Sequence, residues 1–210
     1  MITALTAAAA ICAALAIAAD WEERRHPAFY ALKPLTTILI LAIALTTSPA
    51  SAEYQRWIVV ALGLSLAGDI CLMFPGERWF VGGLSSFLLA HFAFAAAFLL
   101  GIGTPEPPGW LAIMVVYAAA MLFVLLPRAG KLKLPVLVYC LVLAGMAFTA
   151  AVRNAALHDA RSVHAVLGAL MFVVSDSALG WRQFVGKYRG AQALILSTYW
   201  TAIGLIAWSV

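Results

Sequence analysis

The sequence predicts an all-α, polytopic membrane protein with eight transmembrane helices, forming a single domain over residues 1–210. Three observations predict it. First, 65% of the residues are hydrophobic and only 10% are charged, where a soluble domain carries about 25% charged residues. Second, the mean hydropathy is +0.99. Third, the apolar residues form continuous Ala- and Leu-rich runs, close to the roughly 20 residues that a bilayer-spanning helix needs. Strands of a transmembrane barrel would instead alternate in pieces of about 10 residues. Soluble globular, disordered and secreted disulfide-scaffold classes are excluded. No stretch is left for a soluble catalytic domain, so any chemistry sits inside the helix bundle or at its rim.

The spans fall at about 2–19, 29–47, 55–74, 79–101, 109–127, 134–152, 162–181 and 190–209. The first has no basic segment ahead of its apolar run; its first charge is Asp20 and its first basic residue Arg24. It reads as an uncleaved span rather than a signal peptide. Pro27 and Pro49 bracket the second span, Pro75-Gly76 ends the third, and Pro105-Glu106-Pro107-Pro108-Gly109 separates the fourth from the fifth. Pro127 and Gly130 close the fifth. The sixth opens on Lys133-Leu134-Pro135, as the second opens on Lys33-Pro34. The seventh echoes the third: Ser175-Asp176-Ser177-Ala178-Leu179 against Gly68-Asp69-Ile70-Cys71-Leu72. The loops that follow are also related, Arg182-Gln183-Phe184-Val185-Gly186 and Arg78-Trp79-Phe80-Val81-Gly82. Four spans separate each pair, so the copies share an orientation. A parallel 4+4 repeat, which would put a site between its halves, is one reading. Shared Ala/Leu composition is the other. Cys12, Cys71 and Cys140 are far apart in apolar runs and read as small packing residues, not as a metal or disulfide framework.

Loop charge sets the orientation. Connections one, three, five and seven carry nine basic residues: Arg24, Arg25, Arg78, Arg128, Lys131, Lys133, Arg182, Lys187 and Arg189. Connections two, four and six carry three: Arg56, Arg153 and Arg161. By the positive-inside rule the first set is cytoplasmic. Both termini then face away from the cytoplasm, in a bacterial inner membrane. The net charge of +4 arises from these loops, so no nucleic-acid partner is implied.

Ionisable residues inside a span cost several kcal/mol and usually face the bundle interior with a task. Asp69 and Asp176 sit at similar depth in spans three and seven, and Lys33 lies about one turn inside span two. At 1.5 Å rise per residue the three fall at one level, roughly 7 Å below the cytoplasmic boundary. That level predicts one polar cavity, open to the inner leaflet, with Lys33 on its rim. His91 is near the middle of span four, Tyr199 near the middle of span eight, and Tyr139 within span six. Each has a structural alternative. The aspartates could be hydrogen-bonded packing groups, Lys33 could snorkel to the headgroups, and His91, Tyr139 and Tyr199 could be core residues. Glu77, Arg78 and Arg182 could be solvated loop charges.

Taken in order, Lys33-Pro34-Leu35-Thr36-Thr37, Gly68-Asp69-x-x-Leu72-Met73, Ser86-Phe87-x-x-Ala90-His91 and Ser175-Asp176-x-x-Leu179 resemble the YhhN-like lysoplasmalogenase family over nearly the whole chain. The resemblance implies a membrane hydrolase that cleaves the vinyl ether bond of lysoplasmalogens. The products would be a fatty aldehyde and glycerophosphoethanolamine or glycerophosphocholine. The sequence departs from the family in its last span. A Tyr-x-x-Ala-Gln pattern is common there, and this chain reads Tyr199-Trp200-Thr201-Ala202-Ile203, which bears on substrate choice.

The chemistry suits the residues. Protonating the outer alkene carbon of a vinyl ether gives an oxocarbenium ion, to which water adds. That asks for one carboxylic acid kept protonated and one carboxylate that stabilises the cation. Two aspartates in a low-dielectric cavity divide in this way, because desolvation and repulsion disfavour two charges, as in the carboxylate pairs of glycosidases. Asp69, Asp176 and His91 are the catalytic candidates. Lys33, Arg78, Arg182, Tyr139 and Tyr199 are the candidates for binding a lysophospholipid. No metal or cofactor is called for; His91 is the one imidazole near the pair, too few for a zinc site. A proton-coupled transporter of a small or lipid-like solute is the alternative, although the polar residues cluster on one side rather than lining a path across. A reporter active only in the cytoplasm, fused to each end in turn, is expected to be silent at both; activity at either end would overturn the orientation.

Overall fold

The computed structural model describes residues 1–21, 26–103 and 106–210. Arg24, Arg25 and Pro105, used above for topology and punctuation, lie outside the described residues. Among the described residues eight helical segments are long and apolar enough to cross a membrane, and the chain is a multi-pass membrane protein of the expected all-α class. The helices are α1 (Ile2–Ala19), α2 (Pro27–Thr46), α3 (Ala52–Leu72), α4 (Glu77–Leu99), α5 (Leu111–Leu125), α6 (Lys133–Leu157), α7 (Ala160–Gly180) and α8 (Ala191–Trp208). A 3-10 turn over Leu126–Arg128 lengthens α5, and a π-helical turn over Trp181–Val185 follows α7.

Local chemistry sets the helix ends. Pro27 occupies the first helical position of α2, and the His26 ring nitrogen Nδ1 accepts the Ala28 N–H at 3.2 Å. Ser51 Oγ accepts the Tyr54 N–H at 3.3 Å, so α3 begins a few residues before the apolar run does. Asp159 and Ser162 form a capping box at the start of α7, with Ser162 N–H donating to Asp159 Oδ1 at 2.7 Å. That backbone donor holds the Asp159 carboxyl below the usual range. The capping contribution is present above the ordinary aspartate pKa and is lost as pH falls through the lowered value.

One boundary differs clearly from the sequence reading. Helix α6 continues to Leu157, past the expected end near residue 152, although Arg153 falls within the extension. The Arg153 guanidinium donates to the Leu100 carbonyl at 2.7 Å and lies 4.3 Å from the centre of the Tyr54 ring. The cation thus meets carbonyl groups at the C-terminal end of α4 and an aromatic face. Its charge is satisfied without breaking the helix.

Part of the packing follows a four-span shift, although α1 and α3 also pack on α8 without an equal contact of α5 or α7 with α4. Helix α2 packs on α3 and α6 on α7; α3 packs on α4 and α7 on α8; α4 crosses to α6 and α8 crosses to α2. Each relation maps onto its partner when four spans are added or subtracted. Helix α5 is peripheral and presents Ile113, Val115, Val116 and Phe123 outward. Helices α7 and α8 approach closely at Gly168. A Cβ there would lie 2.7 Å from Ile206 Cγ1 and 2.8 Å from the Ala202 carbonyl oxygen. Backbone cannot give way as a flexible side chain would, so Gly168→Ala is expected to cost about 1–3 kcal/mol by overpacking. Gly63, with nothing within 4 Å of its hypothetical Cβ, should gain from Gly63→Ala through helix propensity. Thermal melting in detergent reads both, and equal melting of Gly168→Ala and the unsubstituted protein would contradict the close contact.

Candidate active site

Asp69 is almost wholly enclosed, with 1% of its surface exposed. The Thr37 hydroxyl from α2 and the Tyr199 hydroxyl from α8 each donate to its Oδ2 at 2.7 Å. Lys33 Nζ lies 3.4 Å from Oδ1 and donates to the Asp69 carbonyl oxygen at 3.1 Å. Lys33 and Thr37 are one turn apart on α2, so they share a face and reach Asp69 together. Trp200 Nε1 donates to Thr37 Oγ1 at 3.4 Å. Gly68 has its own reason to precede the aspartate: a Cβ there would lie 2.6 Å from the Phe87 ring.

Asp176 has different company. The Tyr139 hydroxyl donates to its Oδ2 at 2.5 Å, and His91 Nε2 lies 3.7 Å from the same oxygen. The His91 ring is fully buried between Tyr139 and Phe172, with centroid distances of 5.3 and 4.7 Å. Neither of its nitrogens has a hydrogen-bond partner among the described residues. Asp176 lines an apolar cavity between α4, α5, α6 and α7, whose walls include Leu84, Met114, Leu143 and Val173. The Tyr117 hydroxyl donates to Ser177 Oγ at 2.7 Å beside it and ties α5 to α7. A second, polar cavity carries Glu77, Lys131, Arg182 and Gln183, and shares Phe80 and Leu179 with the first.

The two aspartates occupy corresponding positions. Asp69 on α3 is reached from α2 and α8; Asp176 on α7 is reached from α6 and α4. The residues that reach them differ, most plainly in charge. Lys33 is buried against Asp69, whereas Lys133, its counterpart at the start of α6, is exposed. One carboxylate is neutralised by a buried cation and the other faces a phenol and an imidazole.

Among the described residues, none of the three best-formed cavities is lined by both aspartates. Asp69 is outside the lining of the cavity that holds Asp176. The rings of Phe87, Phe172 and Tyr199 meet edge to face, with centroids 5.6 to 6.2 Å apart, and join the two groups as an aromatic wall. Lys33, expected on a cavity rim, is only 5% exposed, because its charge is satisfied by Asp69 rather than by headgroups. Arg78 is exposed, stacks 5.4 Å from the centre of the Trp79 ring, and is outside the lining of both cavities. Arg182 is half-buried and donates to Gln192 Oε1, while Gln192 Nε2 donates to Asp20 Oδ2 at 2.5 Å. Ile203, the residue at which the last span departs from the expected pattern, is fully buried. Sequence reading gave Thr37, Ser177 and Gln192 no role. Only Thr37 carried a usable signal, its four-residue spacing from Lys33.

Removing one member of a buried ion pair leaves an uncompensated charge. Lys33→Met is therefore expected to lower stability by about 3–5 kcal/mol, and adding Asp69→Asn to restore most of the loss. Melting temperatures in detergent measure both. Full stability of Lys33→Met alone would contradict the ion pair's structural role.

A model of the YhhN family matches residues 28–210. Curated proteins named lysoplasmalogenase from Mycobacterium bovis and Mycobacterium tuberculosis are each 36% identical over 184 residues, which is 84% of this chain and 65% of their own length. The chain thus spans just under two thirds of those relatives. The human protein named lysoplasmalogenase TMEM86B is 31% identical over 182 residues, covering 86% of this chain and 75% of its own. No solved structure matches significantly. With most of its length matched by the family model and a human relative aligned over three quarters of its length, the chain belongs to the YhhN family.

Proposed function

We propose that this protein hydrolyses the vinyl ether bond of lysoplasmalogens, with Asp176 as the acid that protonates the substrate. One observation carries the proposal: Asp176 is the carboxyl group that lines the apolar cavity. A single-chain vinyl ether lipid needs such a slot for its hydrocarbon and an acid beside its first two carbons. The relatives named lysoplasmalogenase support the same substrate class, and their names favour a hydrolase over a carrier.

The reaction balances with this chain's residues. The Asp176 carboxylic acid transfers its proton to the outer alkene carbon, and the electron pair of the double bond forms the new C–H bond. The positive charge is then shared between the inner carbon and the ether oxygen. The Asp176 carboxylate left behind stabilises that cation in a site of low dielectric. Water bonds to the inner carbon and returns a proton to Asp176, with His91 close enough to Oδ2, at 3.7 Å, to assist the transfer. Protonation of the ether oxygen and loss of the hydroxyl proton break the C–O bond. Aldehyde and glycerophospho-alcohol leave. Tyr139 holds Oδ2 by its 2.5 Å hydrogen bond, which fixes the carboxyl orientation and leaves Oδ1 toward the substrate.

Asp69 has a separate role in this reading. With Lys33 it forms a fixed ion pair that positions Tyr199 and, through the aromatic wall, the cavity side of α4 and α7. The loop charges support a bacterial inner membrane location with both termini away from the cytoplasm. The polar cavity, formed from the loops at the α3–α4, α5–α6 and α7–α8 connections, then opens on the cytoplasmic face.

Asp176→Asn should lower kcat for lysoplasmenyl lipid by about 10²–10⁴-fold, the range for loss of a general acid, while the protein stays folded. Tyr139→Phe should lower it by about tenfold, the equivalent of one hydrogen bond to a charged group. Aldehyde release in detergent is the assay and thermal melting is the folding control. Near-normal turnover of Asp176→Asn removes it from the mechanism, and inactivity of the unsubstituted protein on vinyl ether lipids overturns the proposed reaction.

A further inference from the structure

The polar cavity adjoins the apolar one through Phe80 and Leu179, which line both. Its charges are sorted by origin. Glu77 and Phe74 come from the α3–α4 connection and the first turn of α4; Lys131 comes from the α5–α6 connection; Arg182 and Gln183 come from the turn after α7. The acidic group therefore comes from one connection and the basic groups from two others. Glu77 makes no ion pair with any described residue. Phe74 is 41% exposed, with its ring centre 4.9 Å from that of Trp79, and an aromatic face attracts a cation.

The spacing also matches a lipid. Arg182 is six residues beyond Asp176, at the start of the π-helical turn, so their backbones are separated along the axis by at most roughly 9 Å at 1.5 Å per residue. In a lysoplasmalogen, seven bonds separate the outer vinyl carbon from phosphorus. An extended chain advances roughly 3.5 Å for every three bonds, so that path spans roughly 8 Å. A phosphate near Arg182, whose guanidinium also donates to Gln192 Oε1, is therefore within a lipid's reach of Asp176.

We propose that the polar cavity is a subsite for a zwitterionic headgroup, in which Lys131 and Arg182 hold the phosphate while Glu77 and the Phe74 ring hold the amine. The inference rests on the proposed reaction for the identity of the lipid and goes beyond it by locating headgroup choice. The guanidinium and ammonium supply charge-assisted hydrogen bonds to phosphate oxygens. The carboxylate attracts either a primary or a quaternary amine, and the aromatic face suits the quaternary one in particular. A lipid phosphate without an amine would set its negative charge near Glu77 with nothing in return.

Binding of saturated ether analogues, which the reaction cannot cleave, isolates recognition from chemistry. The probes are 1-O-alkyl-glycerophosphocholine, 1-O-alkyl-glycerophosphate, 1-O-alkylglycerol and chain-free glycerophosphocholine, with the full-length protein in nanodiscs. Glu77→Gln is expected to weaken the phosphocholine lipid about tenfold and to tighten the glycerophosphate lipid. Lys131→Gln, at an exposed site safe for folding, should weaken both phosphate lipids about tenfold relative to alkylglycerol. Chain-free glycerophosphocholine should bind more weakly than its lipid, because it leaves the apolar cavity empty. If it binds as tightly, the site is one for a soluble phosphodiester and the lipid subsite is wrong. If Glu77→Gln weakens all four probes equally, the residue serves only the first turn of α4 and the inference falls. If the variants bind every probe as the unsubstituted protein does while vinyl ether hydrolysis persists, the subsite is overturned and the reaction stands. Headgroup discrimination without any vinyl ether hydrolysis supports the subsite and overturns the reaction.

Discussion

An ammonium or a carboxylate at membrane depth costs several kcal/mol when unpaired, and Lys33 and Asp69 meet that constraint together at 3.4 Å. The remaining hydrogen-bonding capacity of the pair recruits neighbours. Thr37 and Tyr199 complete the carboxylate, and the Asp69 carbonyl takes a second contact from Lys33. Three helices, α2, α3 and α8, are thereby held in one register. Tyr199 carries the constraint further, because its ring packs against Phe87 on α4 and Phe172 on α7. Phe172 in turn backs His91 at 4.7 Å. The position of the second carboxyl group depends on this chain of contacts.

The two aspartates differ most in the charge of their neighbours. Each aspartate is approached from the two helices that correspond under a four-span shift, yet only one has a buried cation. A carboxylate that is permanently paired cannot readily carry a proton to a substrate. A carboxyl group bounded by a phenol, an imidazole and an apolar cavity is suited to do so. The arrangement differs from the paired carboxylates of glycosidases, which flank one substrate bond. Here one aspartate lines a cavity and the other is paired with Lys33.

The fold was legible because hydropathy and span length report directly on the bilayer. The end of α6 was not, since the extension depends on Arg153 finding the α4 carbonyls and the Tyr54 ring, partners far away in sequence. The depth argument identified Lys33, Asp69 and Asp176 as residues at one level but could not say which pair would touch. Depth along the membrane normal is one coordinate, and the choice between a shared cavity and two separated groups lies in the other two. Those were decided by Phe87 and Phe172, which look like ordinary apolar residues in a sequence rich in them. Lys131 and Glu77 gave no signal beyond loop charge, because they meet in one cavity only where three connections come together at one end of the bundle.

The central claim is that one fixed carboxyl group delivers the proton to carbon. Hydrolysis of a vinyl ether lipid in heavy water, with the stereochemistry of deuterium at carbon two of the released aldehyde as the readout, tests it most directly. An acid held in one orientation by Tyr139 protonates one face of the alkene, so the aldehyde should carry a single deuterium with one configuration. An equal mixture of configurations, in aldehyde trapped before it can enolise, would mean that the proton comes from unoriented solvent and would contradict the role assigned to Asp176.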